Sequence, residues 1–289
     1  MGIGPMVSLG ATPRPVKGIL GYDVGCPMKI AVVTVAYSST ACIDSLAQPG
    51  AIGPGVRLEC HLFRHSAQPA IVEACARFAA NAGTVSYPCE GNRGVSRSWN
   101  DGMLAAWQRG ADAVIVANDD IAFAAGDLEK LAACAIAHRD RYIISCAGFH
   151  AGHNRRLPSV GYSCFAINPV AIERLGCFDE NIFPAYCEDQ DYARRAGLAG
   201  LHEENCAATE LTHLGSASIR SDPALHRQNS LTHLRNIAYY RQKWGGDGGR
   251  ETYAWPFNNP RLGIYINPRN RGRPYGPAYD RRDHDIVKL

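Results

Sequence analysis

The 289-residue sequence predicts an α/β fold, a mostly parallel, doubly wound sheet flanked by helices. Three observations predict it. The segment "KIAVVTVAY" (29–37) is a near-continuous β-branched run, as expected of a strand buried on both faces of a parallel sheet. Strand-like and helix-like segments then alternate from there to residue 149, which implies right-handed βαβ crossovers. The apolar run "ADAVIVAN" (111–118) also ends abruptly in Asn118-Asp119-Asp120, and in such sheets ligands bind beyond the carboxyl ends of the strands.

The other elements follow in order. Val56, Leu58, Cys60 and Leu62 alternate in "VRLECHLFRHS" (56–66), the second strand. Pro69 near its start and Gly83 just past its end bound a helix over 69–83. A short strand is expected at 84–89, a helix over 95–110 ending at Gly110, a helix over 125–140 and a strand at 142–149. After residue 150 the alternation loosens, with a helix from about Asp189 to Ala196 and a long amphipathic helix over 222–246, stopped by Gly245-Gly246. No internal repeat is evident.

Composition narrows the function classes. With 46% hydrophobic and 20% charged residues the chain reads as a soluble globular protein, and a net charge of +3 is too small to argue for nucleic acid by itself. No apolar run approaches the length of a membrane span. The eleven cysteines are scattered without a CxxC pair, and Cys134, Cys146 and Cys164 fall on core positions, which suggests reduced thiols packing as small hydrophobes in a cytoplasmic protein. Residues 1–27 are Gly/Pro-rich and read as a flexible extension, since Met28 opens the first strand. Residues 28–246 then form the domain, and 247–289 an Arg/Pro/Gly-rich tail with eight Arg or Lys residues, expected to wrap the domain or a partner subunit rather than form a core.

Two acidic clusters carry the chemistry. The adjacent carboxylates of Asp119 and Asp120 repel one another at the end of a buried strand, which either a solvated helix cap or a divalent cation such as Mn²⁺ or Mg²⁺ would relieve. The second cluster, Glu188, Asp189 and Asp191, precedes Arg194 and Arg195 and follows the aromatic-rich loop of Phe178, Phe183 and Tyr186. Favouring a helix dipole needs only one carboxylate, and a further one could take a proton from an attacking hydroxyl.

The segments "NRGVSRSWNDGMLAAWQRGADAVIVANDDI", "GYSCFAINPVAIERLGCFDENIFPAYCEDQDYARRAGLAG", "THLGSAS" and "RNIAYYRQKWGG" occur in the order and spacing seen in GT-A-fold glycosyltransferases. Over 28–246 the chain resembles most the family 2 group of bacterial and phage-type sugar transferases. The resemblance implies a GT-A, Rossmann-like sheet and transfer of a hexosyl-type sugar from a nucleotide diphosphate to an acceptor hydroxyl, with inversion and with Mn²⁺ or Mg²⁺. It implies that Thr34, Ala36 and Tyr37 hold the nucleotide. It places the Asn-x-Gly pattern on Asn92, Gly94, Asn100 and Gly102, with Arg93 near the diphosphate. The DxD motif falls on Asn118-Asp119-Asp120, which makes Asn118 and Asp119 donor contacts and Asp120 a metal ligand, with His213 as a further ligand. The Glu-Asp-x-Asp motif makes Asp189 the general base and Glu188 a sugar or acceptor contact.

Two positions depart from the family pattern. Asn118 stands at the first DxD position, which removes one anionic ligand. Phe63, Arg64, His65 and Ser66 stand where an Asp usually reads the base, so a UDP-sugar is the donor only by default. The acceptor stays open between a saccharide, a protein and modified nucleic acid, the last suggested by arginines interleaved with Tyr265, Tyr275 and Tyr279; the oligomeric state, including a homo-oligomer, stays open too. A non-catalytic nucleotide-sugar binding module and a nucleotidyltransferase with a similar metal site are the alternatives. A dinucleotide-binding oxidoreductase is disfavoured, because "AYSSTACIDS" after the first strand lacks GxGxxG.

Overall fold

The structure, a computed structural model, describes residues 27–81, 83–88, 91–215 and 223–267. The N-terminal segment before Pro27 and the tail beyond Asn267 lie outside the described residues, as do Tyr275 and Tyr279.

The parallel half of the sheet is built as the alternation predicts. β1 (Met28–Ala36), β2 (Val56–Arg64), β3 (Thr84–Pro88) and β4 (Ala113–Asn118) pair in parallel in the order β3-β2-β1-β4. Crossovers run through α1 (Ala41–Leu46), α2 (Pro69–Ala79) and α3 (Val95–Gln108). The centre of β1 is inaccessible on both faces, which is why its β-branched run does not alternate with polar residues. Residues 30, 32 and 36 pack toward α1, α2 and α4 (Asp127–Ala137); residues 31, 33 and 35 pack toward α3, α5 (Pro169–Leu175) and α6 (Glu188–Leu198).

Past β4 the sheet changes character. β5 (Ile121–Ala122), β6 (Ile143–His150), β7 (Arg155–Leu157), β8 (Cys164–Ile167) and β9 (Glu204–His213) complete it, so nine strands among the described residues form one sheet. β8 runs antiparallel between β4 and β6, and β9 lies parallel to β6. The connection from β6 to β8 carries β7 and two 3₁₀ turns and no crossover helix, and the pair is antiparallel. β9, "ENCAATELTH", has few β-branched residues and several exposed ones, so periodicity did not reveal it.

The long last helix, α7 (Pro223–Trp244), docks by its C-terminal half, where Asn236, Tyr239, Tyr240, Lys243 and Trp244 are buried. The described part of the segment expected as a tail is fastened to this body. Ile266 donates its N–H to Leu175 O (2.9 Å) and accepts from Cys177 N (3.0 Å), and Arg194 reaches Tyr253 O (3.0 Å). The nine described cysteines are free thiols, and eight are buried.

Candidate active site

The carboxyl ends of β1 and β4 lie side by side, Val35 opposite Asn118, and the chain turns away from each into a loop. The two adjacent acids that follow β4 are relieved in different ways. Asp119 turns inward: its Oδ2 accepts the backbone N–H groups of Tyr37 (2.9 Å), Ser38 (2.7 Å) and Ser39 (2.9 Å). Burial raises its pKa, and these donors work against the rise. Asp119 thus folds the loop after β1 around one oxygen, and its backbone carbonyl accepts the N–H of Cys42, in the first turn of α1 (3.0 Å).

Asp120 is relieved by a histidine. β5 pairs antiparallel with the end of β9, Ile121 against His213, and Leu214 N donates to Asp120 O (2.9 Å). That register brings Asp120 Oδ2 to 3.2 Å from His213 Nε2, with the carboxylate largely buried. The His150 ring packs edge-on against His213, with centroids 4.6 Å apart. One carboxylate oxygen and one imidazole nitrogen at this separation suit a divalent cation that takes its other ligands from phosphate and water. Among the described residues no group of three or more His, Cys, Asp or Glu is arranged to hold an ion.

A further part of the cavity wall comes from the start of α6. Its first turn carries Glu188, Asp189 and Asp191, but the three are not equivalent. Asp191 is fully buried with Arg195 Nε at 2.9 Å, Trp244 Nε1 at 2.9 Å and the Lys243 ammonium in contact. Burial opposes its ionisation, yet Lys243 and Arg195 outweigh this and keep its pKa below the ordinary value. It belongs to the joint between α6 and α7. Glu188 has no cation of this kind; burial, then the neighbouring Asp189 charge, push its pKa up to about 8. Burial also raises Asp189, against the N–H of Gln190 (2.8 Å).

These walls enclose one cavity of about 510 Å³. Of the residues expected from sequence, Tyr37, Asn92, Asn118, Asp119, Asp120, Glu188, Asp189 and His213 all line it. Others do not. Strand alternation turns Thr34 and Ala36 into the face packed on α1, and Val35 lines the cavity instead. Arg93 is paired with Asp101 and lies over the Phe63 ring, 5.3 Å from its centroid. Gly94 (φ 84°) lies against Phe183, whose ring a Cβ would approach to 2.8 Å. Asn100 is buried, donating to Phe178 O (3.0 Å) and accepting from Phe178 N (2.8 Å). It holds the loop before α6 rather than the cavity wall.

Other residues line the cavity as well, among them His65, which the sequence marks at the position where an Asp usually reads the base. His65 ends β2 at the wall, and burial, then Arg93, push its pKa down to about 3; its Nε2 lies 2.8 Å from Ser98 Oγ. Tyr162 and Thr232 also line the cavity, from a 3₁₀ turn and from α7. Neither carries a local signal in the sequence, because only the tertiary fold brings this tyrosine and this threonine to the rim.

No family model matches the chain. A galactofuranosyl glycosyltransferase of Leishmania donovani is 31% identical over 78 residues, 27% of this chain and 17% of that protein. The crystal structure of GalNAc-T7 with UDP, GalNAc and Mn²⁺ superposes with a TM-score of 0.53 at 12% identity, covering 77% of this chain and 49% of that one. The structure of S. aureus TarS 1–349 with UDP gives a TM-score of 0.48 at 13% identity, over 73% and 65%. The chain therefore spans about half of the first solved structure and a smaller part of the curated relative. In its curled, mostly parallel sheet and flanking helices the chain has the GT-A fold of the glycosyltransferases.

Proposed function

We propose that the chain is a metal-dependent glycosyltransferase that moves a sugar from a nucleoside diphosphate to an acceptor hydroxyl with inversion. One observation carries this reading: Asp120 with His213, and Asp189 with Glu188, line a single cavity at the carboxyl ends of β1 and β4. The likeness to a solved structure holding UDP, a sugar and Mn²⁺ supports it.

The roles follow from placement. Tyr37 and Asn92 flank the nucleotide end, and the loop held by Asp119 presents Ser38 there. Asp120 and His213 would hold Mn²⁺ or Mg²⁺, which when bound supplies positive charge against the leaving diphosphate. Asp189, its pKa raised by burial, takes the proton of the acceptor hydroxyl as that oxygen attacks the anomeric carbon. Glu188, with a pKa of about 8, carries its proton at neutral pH and donates a hydrogen bond to a sugar oxygen. Attack from the wall opposite the leaving group inverts the anomeric centre. His65 rather than an acid ends β2 at the base end of the cavity, and uridine is the base we assign by default.

The test is hydrolysis of a panel of UDP- and GDP-sugars with MnCl₂, followed as release of nucleoside diphosphate. Slow, metal-dependent turnover of one donor is expected. A chain that binds a donor without ever turning it over is a binding module, and the reading fails.

A further inference from the structure

The residues assigned to acid–base work sit at the end of an irregular segment. In segment 183–187 two consecutive non-glycine residues, Tyr186 (φ 72°) and Cys187 (φ 77°), occupy the left-handed region immediately before Glu188. Such backbone is costly for L-residues and persists only where surroundings over-determine it. On the donor side the segment touches the start of α3: Pro184 O accepts from Val95 N (2.8 Å), and the Phe183 ring lies against Gly94. On the other side a single side chain on α7 meets it. Asn236, fully buried, donates through Nδ2 to Ala185 O (2.7 Å) and Tyr186 O (3.1 Å) and accepts through Oδ1 from Phe183 N (3.3 Å). Its whole carboxamide is thus committed to this one segment, about fifty residues away in sequence.

Asn236 touches none of the reacting groups, and its neighbours on α7 do different work. Tyr239 and Lys243 bond to Asp179 Oδ2 (2.8 Å each), and Trp244 bonds to Asp191, so they join helix to domain. Asn236 alone of these reaches the backbone that leads directly into Glu188 and Asp189. We propose that Asn236 is a positioning residue: it holds the left-handed turn at Tyr186 and Cys187 that sets Asp189 and Glu188 at the cavity wall. The inference rests on the transferase reading, in which Asp189 is the base. An amide is required here, because two carbonyls need donors while one N–H needs an acceptor. Aspartate would set an oxygen against both carbonyls.

Asn236→Asp and Asn236→Ala test this beside Tyr239→Phe, which removes one hydrogen bond of the same helix to Asp179. Four quantities are read: thermal midpoint, UDP affinity with Mn²⁺ by calorimetry, kcat for hydrolysis of the donor the wild type accepts, and deuterium exchange of residues 183–191. Both Asn236 variants are expected to bind UDP within about twofold of wild type but to lose about 10- to 100-fold in kcat, the scale of a misplaced catalytic group. Their faster exchange is confined to 183–191. Tyr239→Phe loses thermal stability but keeps kcat within about twofold. The inference is overturned if the Asn236 variants keep the wild-type kcat, or if their losses in kcat only track thermal stability as those of Tyr239→Phe do. A wild type that neither binds UDP or GDP nor turns over any donor overturns the transferase reading instead, and this inference with it.

Discussion

Replacing Glu188 by Gln should stabilise the protein, and increasingly so as pH rises. The folded carboxyl has a pKa of about 8 against an ordinary 4.5, because it is buried and stands next to Asp189. The folded state therefore holds a proton that the unfolded chain releases, so stability falls as pH rises from the unfolded value through the folded one. Below that window Glu188 costs nothing; above it the cost is complete. At 1.36 kcal/mol per pH unit the full cost is bounded at about 5 kcal/mol, of which about 4 kcal/mol accrues between about pH 5 and about pH 9. Glutamine keeps the shape and a hydrogen-bonding head without the ionisation. Urea unfolding of wild type and Glu188→Gln at both pH values gives the difference directly, and comparison within a pH cancels every other titrating group to first order. The gap should widen with pH in favour of the variant. Parallel stability curves would mean that Glu188 ionises freely in the folded protein, and the assignment of a proton-bearing Glu188 at neutral pH would go with it.

The other predictions probe the two walls and the turn between them. Asp189→Asn should lower donor turnover by about 10²- to 10⁴-fold while calorimetry shows nearly unchanged donor affinity, since only the base is lost; equal losses in both would refute the role. Asp120→Ala should weaken UDP binding in Mn²⁺ by about tenfold or more and leave metal-free binding no weaker than in the wild type, which titration with and without EDTA would check. Gly94→Ala forces a side chain into the left-handed region, at about 1–2 kcal/mol, and its Cβ would meet the Phe183 ring at 2.8 Å. Gly197→Ala, in α6 with open space around it, should be neutral or stabilising. Equal urea midpoints for these two variants would show that Gly94 is not held as described.

Where the sequence was legible, buried runs and turn residues repeated at a regular spacing. β1, β2 and β4, buried through their centres, stood out as apolar runs, and Pro69 marked the start of α2 in the place expected. The second half was harder to read. β9 spends one face on the surface, and β8 is only four residues long, so neither offers a strong period. Among candidate site residues, Asn118, Asp119 and Asp120 at the end of β4 and Glu188 and Asp189 at the start of α6 line the cavity, whereas alternation along β1 turns Thr34 and Ala36 away from it. Asn100 and Asp191 carry polar groups that look functional in sequence, yet each is consumed by a long-range contact, to Phe178 and to Lys243, which for Asp191 joins the local pair with Arg195. No local pattern distinguishes an acid that faces a ligand from one that meets a buried lysine fifty residues later.

The charge of the cavity makes sense only when its acids are separated by state. Asp119, Asp120, Glu188 and Asp189 all line a space meant, on the proposed reading, for a diphosphate, and four full negative charges there would repel it. The structure lowers that total before any ligand arrives. Three backbone N–H groups surround one oxygen of Asp119, His213 stands against Asp120, and burial keeps Glu188 protonated near neutrality. Asn118 fits the same logic: an aspartate at the end of β4 would add another charge to the wall that already carries Asp119 and Asp120. Burial raises Asp189 against the N–H of Gln190 and the nearby His233, and a carboxylate of raised basicity at the wall is what a proton-accepting role requires. On this argument Asn118→Asp should bind Mn²⁺ more tightly, yet weaken metal-free UDP binding. Calorimetry in the two conditions would separate the effects, and a variant that bound UDP equally well without metal would show that the cavity's charge is not limiting.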